Sequence, residues 1–159
     1  MSVLLTFGEP HRQTSDLQTI VLTSTLTVLG AIAVFVVGQV IAKFLLEPLD
    51  KLKAQIGGIS DVLVFHANIY TNPGLSRKED MDETSKVLHQ RASLLRARAH
   101  ASPGYRFFSL LRLVPQPKDV REASRNLIGL SNAVRVEGRG LENYELANKA
   151  RRLLKLPSD

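Results

Sequence analysis

The side chains able to do chemistry in this sequence are few, and their spacing offers them little to do. His11, His66, His89 and His100 show no paired spacing suited to a metal. His66 extends an apolar stripe, where a buried and hydrogen-bonded histidine is the expectation. Cysteine is absent, which excludes disulfides, thiolate metal sites and cysteine nucleophiles. No glycine-rich phosphate loop, GxSxG elbow or HExxH pair occurs. Glu47 reads as a carboxylate at headgroup level, one residue before a proline. No catalytic residue, metal or cofactor is therefore assigned. What remains is positive charge, with 21 Lys and Arg against 15 Asp and Glu. Arg121, Arg125 and Arg135 share one helix face, a candidate to tether RNA through its phosphates. The readings of the charge as a whole are anionic lipid, nucleic acid, and a merely solvated, solubilising surface.

The element that must position everything else is Ile20 to Ala42, IVLTSTLTVLGAIAVFVVGQVIA, which carries no charge. As a helix it measures roughly 34 Å, enough for a hydrocarbon core of about 30 Å. A cleaved signal peptide is the rival, but it needs a basic start, a shorter apolar region and a small-residue cleavage site. Here one Arg stands against Glu9 and Asp16, and the helix pattern continues through Lys43-Phe44-Leu45-Leu46-Glu47. The sequence thus divides into a short extracytoplasmic segment 1–17, a transmembrane helix 18–47 and a cytoplasmic helical bundle 48–159. Lys43, Lys51 and Lys53 follow the span closely, which places the amino terminus outside. Val3-Leu4-Leu5 and Phe7 are candidates to touch the outer interface.

Within the span, Thr19, Thr23, Thr27, Gly30 and Gly38 fall in one sector. Small residues let transmembrane helices approach closely, and threonine hydroxyls bond back to the helix or across to a neighbour. With one span per chain, that neighbour is a second copy or another protein. Gln39 is the one strongly polar side chain there, wetted by headgroups or facing a contact or lumen.

Pro48 is expected to kink the chain, after which helical periodicity resumes. Leu49, Leu52, Ile56, Ile59 and Leu63 form a stripe for the core or an oligomer contact, with Val62, Phe65 and Ile69 widening it. Gly57-Gly58 permits close packing, and Asn72-Pro73-Gly74 makes a turn. A helix over about 76–101 has Leu88, Ala92, Leu95 and Ala99 as its core side. Its acidic first turns and basic end suit the helix dipole. A short apolar helix carries Tyr105, Phe107, Phe108, Leu110, Leu111 and Leu113. Pro117 opens the next helix, with Val120, Ala123, Leu127, Leu130 and Val134 inward. A last helix runs over about 142–155. The expectation is all-α: one span continuing into a bundle of four to five helices.

Arg125-Asn126 resembles the first half of the Arg-Asn…His motif of HEPN ribonucleases, with Leu130, Ser131 and Asn132 where the histidine belongs. Without an imidazole there is no general acid or base for cleaving RNA, so an enzyme is not expected. Gly38-Gln39 to Pro48, Ala67 to Gly74 and Ser124 to Val134 resemble a widespread, uncharacterised group of small bacterial membrane proteins. More distantly, the layout is similar to the CRISPR-associated membrane proteins that accompany type VI effectors. There a span joins a HEPN-like domain, and copies form a ring with a pore used in antiphage defence. The resemblance implies a homo-oligomeric inner-membrane pore or channel. The alternative is a membrane-tethered adaptor or scaffold whose basic bundle binds a protein or RNA.

Overall fold

A computed structural model describes residues 10–157, with side chains from Leu17 onward. Val3-Leu4-Leu5 and Phe7 lie outside the described residues. Every element among them is helical, and they contain no strand. The chain separates into two compact units, Met1–Ala42 and Lys43–Asp159. That division falls slightly before the 47/48 boundary expected from the sequence.

The first unit is α1 (Pro10–Ile41), an uninterrupted helix of 32 residues. Every side chain from Leu17 to Ile41 is exposed, including Leu22, Val34 and Phe35. The helix is long and apolar enough to cross a membrane, with a mean hydropathy of 2.5 and none of that window buried. It is rich in Val, Ile and Thr, which favour an isolated helix less than Ala or Leu does. In hydrocarbon the helix is nonetheless enforced, because each backbone donor and acceptor must pair within the segment. The threonines follow the same rule. Thr23 donates to Thr19 O, Thr25 to Val21 O and Thr27 to Thr23 O, each at 2.8 Å.

A π-helical turn, Ala42–Leu46, precedes α2 (Glu47–Phe65). Pro48 explains it: the ring has no N–H to donate and crowds the carbonyl of Phe44, four residues earlier. The wider π register relieves that crowding. The irregularity thus sits in the turn before the proline, while Pro48 itself occupies a first-turn position of α2.

The second unit continues with α3 (Ala67–Thr71), α4 (Lys78–Ala101), α5 (Tyr105–Leu110), α6 (Pro117–Ala133) and α7 (Gly140–Leu154). Four long helices and two short ones therefore build the bundle. Helix α4 packs against α2 and α6, and α7 covers α6 and α3. Leu49, Leu52, Ile56, Ile59 and Leu63 all turn into this core. The stripe is thus covered within one chain. Phe65 departs from it and is 82 % exposed. It lies two residues past Leu63, about 200° further round the helix, so it points away from that face.

Buried polar groups fix the helices in register. Gln55 Nε2 donates to Arg91 O at 3.1 Å, Ser124 Oγ to Ala92 O at 3.0 Å, and Ser85 Oγ to Ser131 O at 2.7 Å. Tyr70 donates to Leu63 O at 2.8 Å, and Asn143 Nδ2 to Tyr70 O at 2.8 Å. Beside α3, α7 begins at Gly140, where a Cβ would stand 2.1 Å from Thr71 O. Only glycine lets the two backbones approach that closely.

Candidate anion-binding groove

The end of α4 and the start of α6 build the most distinctive surface of the second unit. Arg96 and His100 are one turn apart on α4, and Arg121 and Arg125 are one turn apart on α6. The Ser124–Ala92 hydrogen bond clasps α6 to α4 one residue before Arg125. Helix α4 stops at Ala101, where the Ser102 hydroxyl donates to Arg98 O at 2.7 Å and Pro103 follows. Gly104 then turns the chain at φ +69, a left-handed conformation that glycine adopts without strain. Helix α5 brings in Arg106, and Pro117 opens α6.

Arg96, His100, Arg106, Arg121 and Arg125 line one cavity of about 970 Å³ with Ser102, Tyr105 and Val120. It is open to solvent and of the size of small-ligand and peptide sites. Among the described residues, no carboxylate lines it. None of the ion pairs among the described residues uses Arg96, Arg106, Arg121 or Arg125. Like charges one turn apart repel by a few tenths of a kcal/mol, so the arrangement opposes helix stability and favours an anion. The floor is held by Tyr105, whose hydroxyl donates to Pro115 O at 2.6 Å. Burial, with a smaller contribution from Asp119, pushes this phenol up to about 12. It therefore acts as a neutral strut.

The groove gathers two of the three arginines expected on the basic face and leaves the third out. Arg135 Nε instead meets Asp82 Oδ1 at 2.7 Å, bridging α4 and the end of α6. Arg96, His100 and Arg106 were not expected there. Their signal is the cluster of cations at the end of α4, legible as a dipole complement but not as half of a groove. That depends on α6 packing against α4, which no local pattern states.

The remaining candidates fall as follows. Thr19, Thr23, Thr27, Gly30, Gly38 and Gln39 are exposed on α1, and a Cβ at Gly30 or Gly38 would meet nothing within 4 Å. His66 is buried, its Nδ1 2.9 Å from Thr84 Oγ1, as its place on the apolar stripe implied. Burial lowers its pKa, with Glu83 pulling weakly the other way. Asn126 is buried with its Nδ2 unpaired, apart from the exposed Arg125. Leu130 and Ser131 are buried, and Asn132 is exposed. The short helix expected over 105–113 ends at Leu110, and it buries less than its composition suggested. Phe107, Leu110, Leu111 and Leu113 are exposed, and Phe108 is half-buried. No group of three or more His, Asp or Glu able to hold a metal occurs among the described residues.

No known protein family matches the chain, and no curated protein or solved structure is significantly similar to it.

Proposed function

We propose that this is a single-span protein of the bacterial inner membrane, an adaptor whose cytoplasmic bundle captures an acidic segment of a partner protein in the arginine groove. The single observation that carries the reading is the set of four arginines, Arg96, Arg106, Arg121 and Arg125, around one cavity without a carboxylate. Lys43, Lys51 and Lys53 just behind the span favour a cytoplasmic placement for this bundle. The apolar ridge Phe107, Leu110, Leu111 and Leu113, flanked by Arg106 and Arg112, suits contact with an anionic lipid surface. A protein partner is favoured over RNA by what the groove lacks. Single-stranded RNA is gripped largely by stacking on exposed aromatic rings, and Tyr105 is buried and committed to Pro115.

The test is fluorescence anisotropy with the full chain in neutral-lipid nanodiscs, titrated against an oligoglutamate peptide and a single-stranded RNA of equal charge. The peptide binds more tightly, binding weakens with salt, and the Arg121→Glu, Arg125→Glu double variant loses at least about tenfold. Equal or better binding of RNA would replace the partner class. Absence of peptide binding at low salt would end the reading.

A second reading, a homo-oligomer whose spans enclose a pore or channel, is favoured by one observation. The small-residue side of α1 offers open space at Gly30 and Gly38, on a helix whose described side chains are all exposed. Native mass spectrometry from mild detergent and conductance in planar bilayers test it. A monomer in the first measurement removes the pore.

A further inference from the structure

Two of the described residues other than glycine have positive φ, Arg112 at 59 and Lys155 at 56, and both are basic. Each ends a helix in the same way. After α5, Arg112 N donates to Ser109 O at 3.0 Å and Leu113 N to Phe108 O at 3.0 Å. After α7, Lys155 N donates to Arg152 O at 3.2 Å and Leu156 N to Arg151 O at 3.0 Å. These are the paired bonds of a Schellman turn, whose left-handed position is normally given to glycine. A side chain with a Cβ is strained there. Local physics therefore selects against Arg and Lys at two separate positions.

The two strained residues are far apart in sequence but line one small cavity, of about 210 Å³, together with Lys53 of α2. Its other walls are apolar, among them Ile56, Val114 and Leu154. No carboxylate lines it, and Lys53, Arg112 and Lys155 enter no ion pair among the described residues. Three cations lining one small cavity, with no counterion among the described residues, are unfavourable together unless something negative sits among them. The volume is below that of ordinary small-molecule sites and suits a single oxyanion group. An arginine fork with two ammonium groups is a donor set matched to phosphate.

We infer that Lys53, Arg112 and Lys155 form a phosphate-binding site, separate from the arginine groove. The group it takes is a phosphate monoester or diester. Free phosphate and the headgroup of an anionic phospholipid supply the same chemistry. Lys53 follows the apolar helix closely in sequence, and Leu113 belongs to the exposed apolar ridge, so a lipid headgroup is within the reach of this chemistry.

The strain itself supplies the control. Arg112→Gly and Lys155→Gly place glycine where the backbone wants it, so both variants keep or raise the melting temperature while removing a cation. The full chain in phosphatidylcholine nanodiscs is titrated with inorganic phosphate by calorimetry. In parallel, native mass spectrometry scores phosphatidylglycerol retained after purification from mixed lipid. The site predicts at least a tenfold loss of phosphate affinity, lipid retention or both in Arg112→Gly, Lys155→Gly and Lys53→Ala. Lys78→Ala and Lys86→Ala, exposed cations that line neither cavity, leave it unchanged. Loss confined to one measurement identifies the source of the phosphate. Variants as stable as the parent, with both measurements unaltered, overturn the proposal, as does equal loss in the Lys78 and Lys86 variants. The groove reading stands or falls separately, on the peptide titration.

Discussion

Helix α1 and the bundle that follows it treat apolar side chains in opposite ways. In α1 the leucines and valines are outside, and the hydroxyls of Thr23, Thr25 and Thr27 each bond to a carbonyl four residues back on the same helix. In the bundle the leucines are inside, and side-chain bonds join helices distant in sequence, as Ser85 does with Ser131. Apolar content alone does not separate the two regions; the partner for it does. The bundle supplies its own partner, whereas the described side chains of α1 stay exposed on a helix long and apolar enough to cross a membrane. The same contrast applies to polar groups. Threonines that bond back to their own helix are compatible with hydrocarbon, and serines that bond across helices define a unique packing.

The largest expected effect tests this contrast with the same substitution in both regions. Leu63→Ala, at a side chain with no exposure, costs about 2–5 kcal/mol of bundle stability. Leu26→Ala, at a side chain 70 % exposed, leaves that stability unchanged. Denaturant unfolding in nanodiscs followed by tyrosine fluorescence measures both, since the chain has no tryptophan. Equal losses would show that the two regions unfold as one. Next in size is Gly140→Ala, whose Cβ would stand 2.1 Å from Thr71 O, a backbone atom that cannot step aside cheaply. A loss of about 1–3 kcal/mol is expected in the same assay. Gly30→Ala in α1 meets open space and leaves bundle stability unaltered.

The architecture was largely legible because it rests on periodicity. The uncharged run, the Leu49 to Leu63 stripe, the proline opening α6 and the Val120 to Val134 face all follow from one chain's local pattern. The bounds of α4 and α7 held to within a turn, whereas α1 begins at Pro10, eight residues before the expected 18, and ends at Ile41. What escaped depends on pairings between helices. Arg121 and Arg125 were identified as a basic face, but their neighbours Arg96, His100 and Arg106 come from segments that only packing unites. Arg135 shares their face by helical angle, yet it lies two residues past the end of α6, where it meets Asp82 instead. Phe65 was misassigned because an aromatic at the end of an apolar stripe looks like its continuation until the angle is counted. The π turn was invisible as such, though the proline that causes it was plain. Left-handed Arg112 and Lys155 carry no local signal at all, since glycine is what that geometry normally shows.

A smaller effect distinguishes the regions by pH. His66 is held neutral by burial, so its native pKa lies below the ordinary 6.5. The unfolded chain then binds the proton more readily than the folded one, and stability falls as pH drops through about 6.5 towards the native pKa. Above that window the contribution is fully present. Denaturation midpoints measured at about pH 7.5 and about pH 5 should differ in the parent, and the difference should shrink in His66→Gln. From Leu17 to Ile41, α1 carries no titratable side chain, so nothing in that stretch responds to pH in this range.

The smallest expected change is the most informative about the groove. Arg135 and Asp82 form an ion pair that is half exposed, and such pairs contribute about 0–1 kcal/mol because water screens them. Arg135→Ala should therefore shift the unfolding midpoint slightly and lose even that shift at high salt. On the adaptor reading it leaves acidic-peptide affinity untouched. Arg125→Ala, equally a loss of one positive charge, should weaken the peptide severalfold with no loss of stability. A net-charge mechanism predicts equal effects from the two variants, because the bundle's charge changes by the same amount in each. A groove predicts unequal ones, since Arg125 lines the cavity and Arg135 is already neutralised by Asp82. Equal weakening would reduce the arginine groove to a diffuse positive surface.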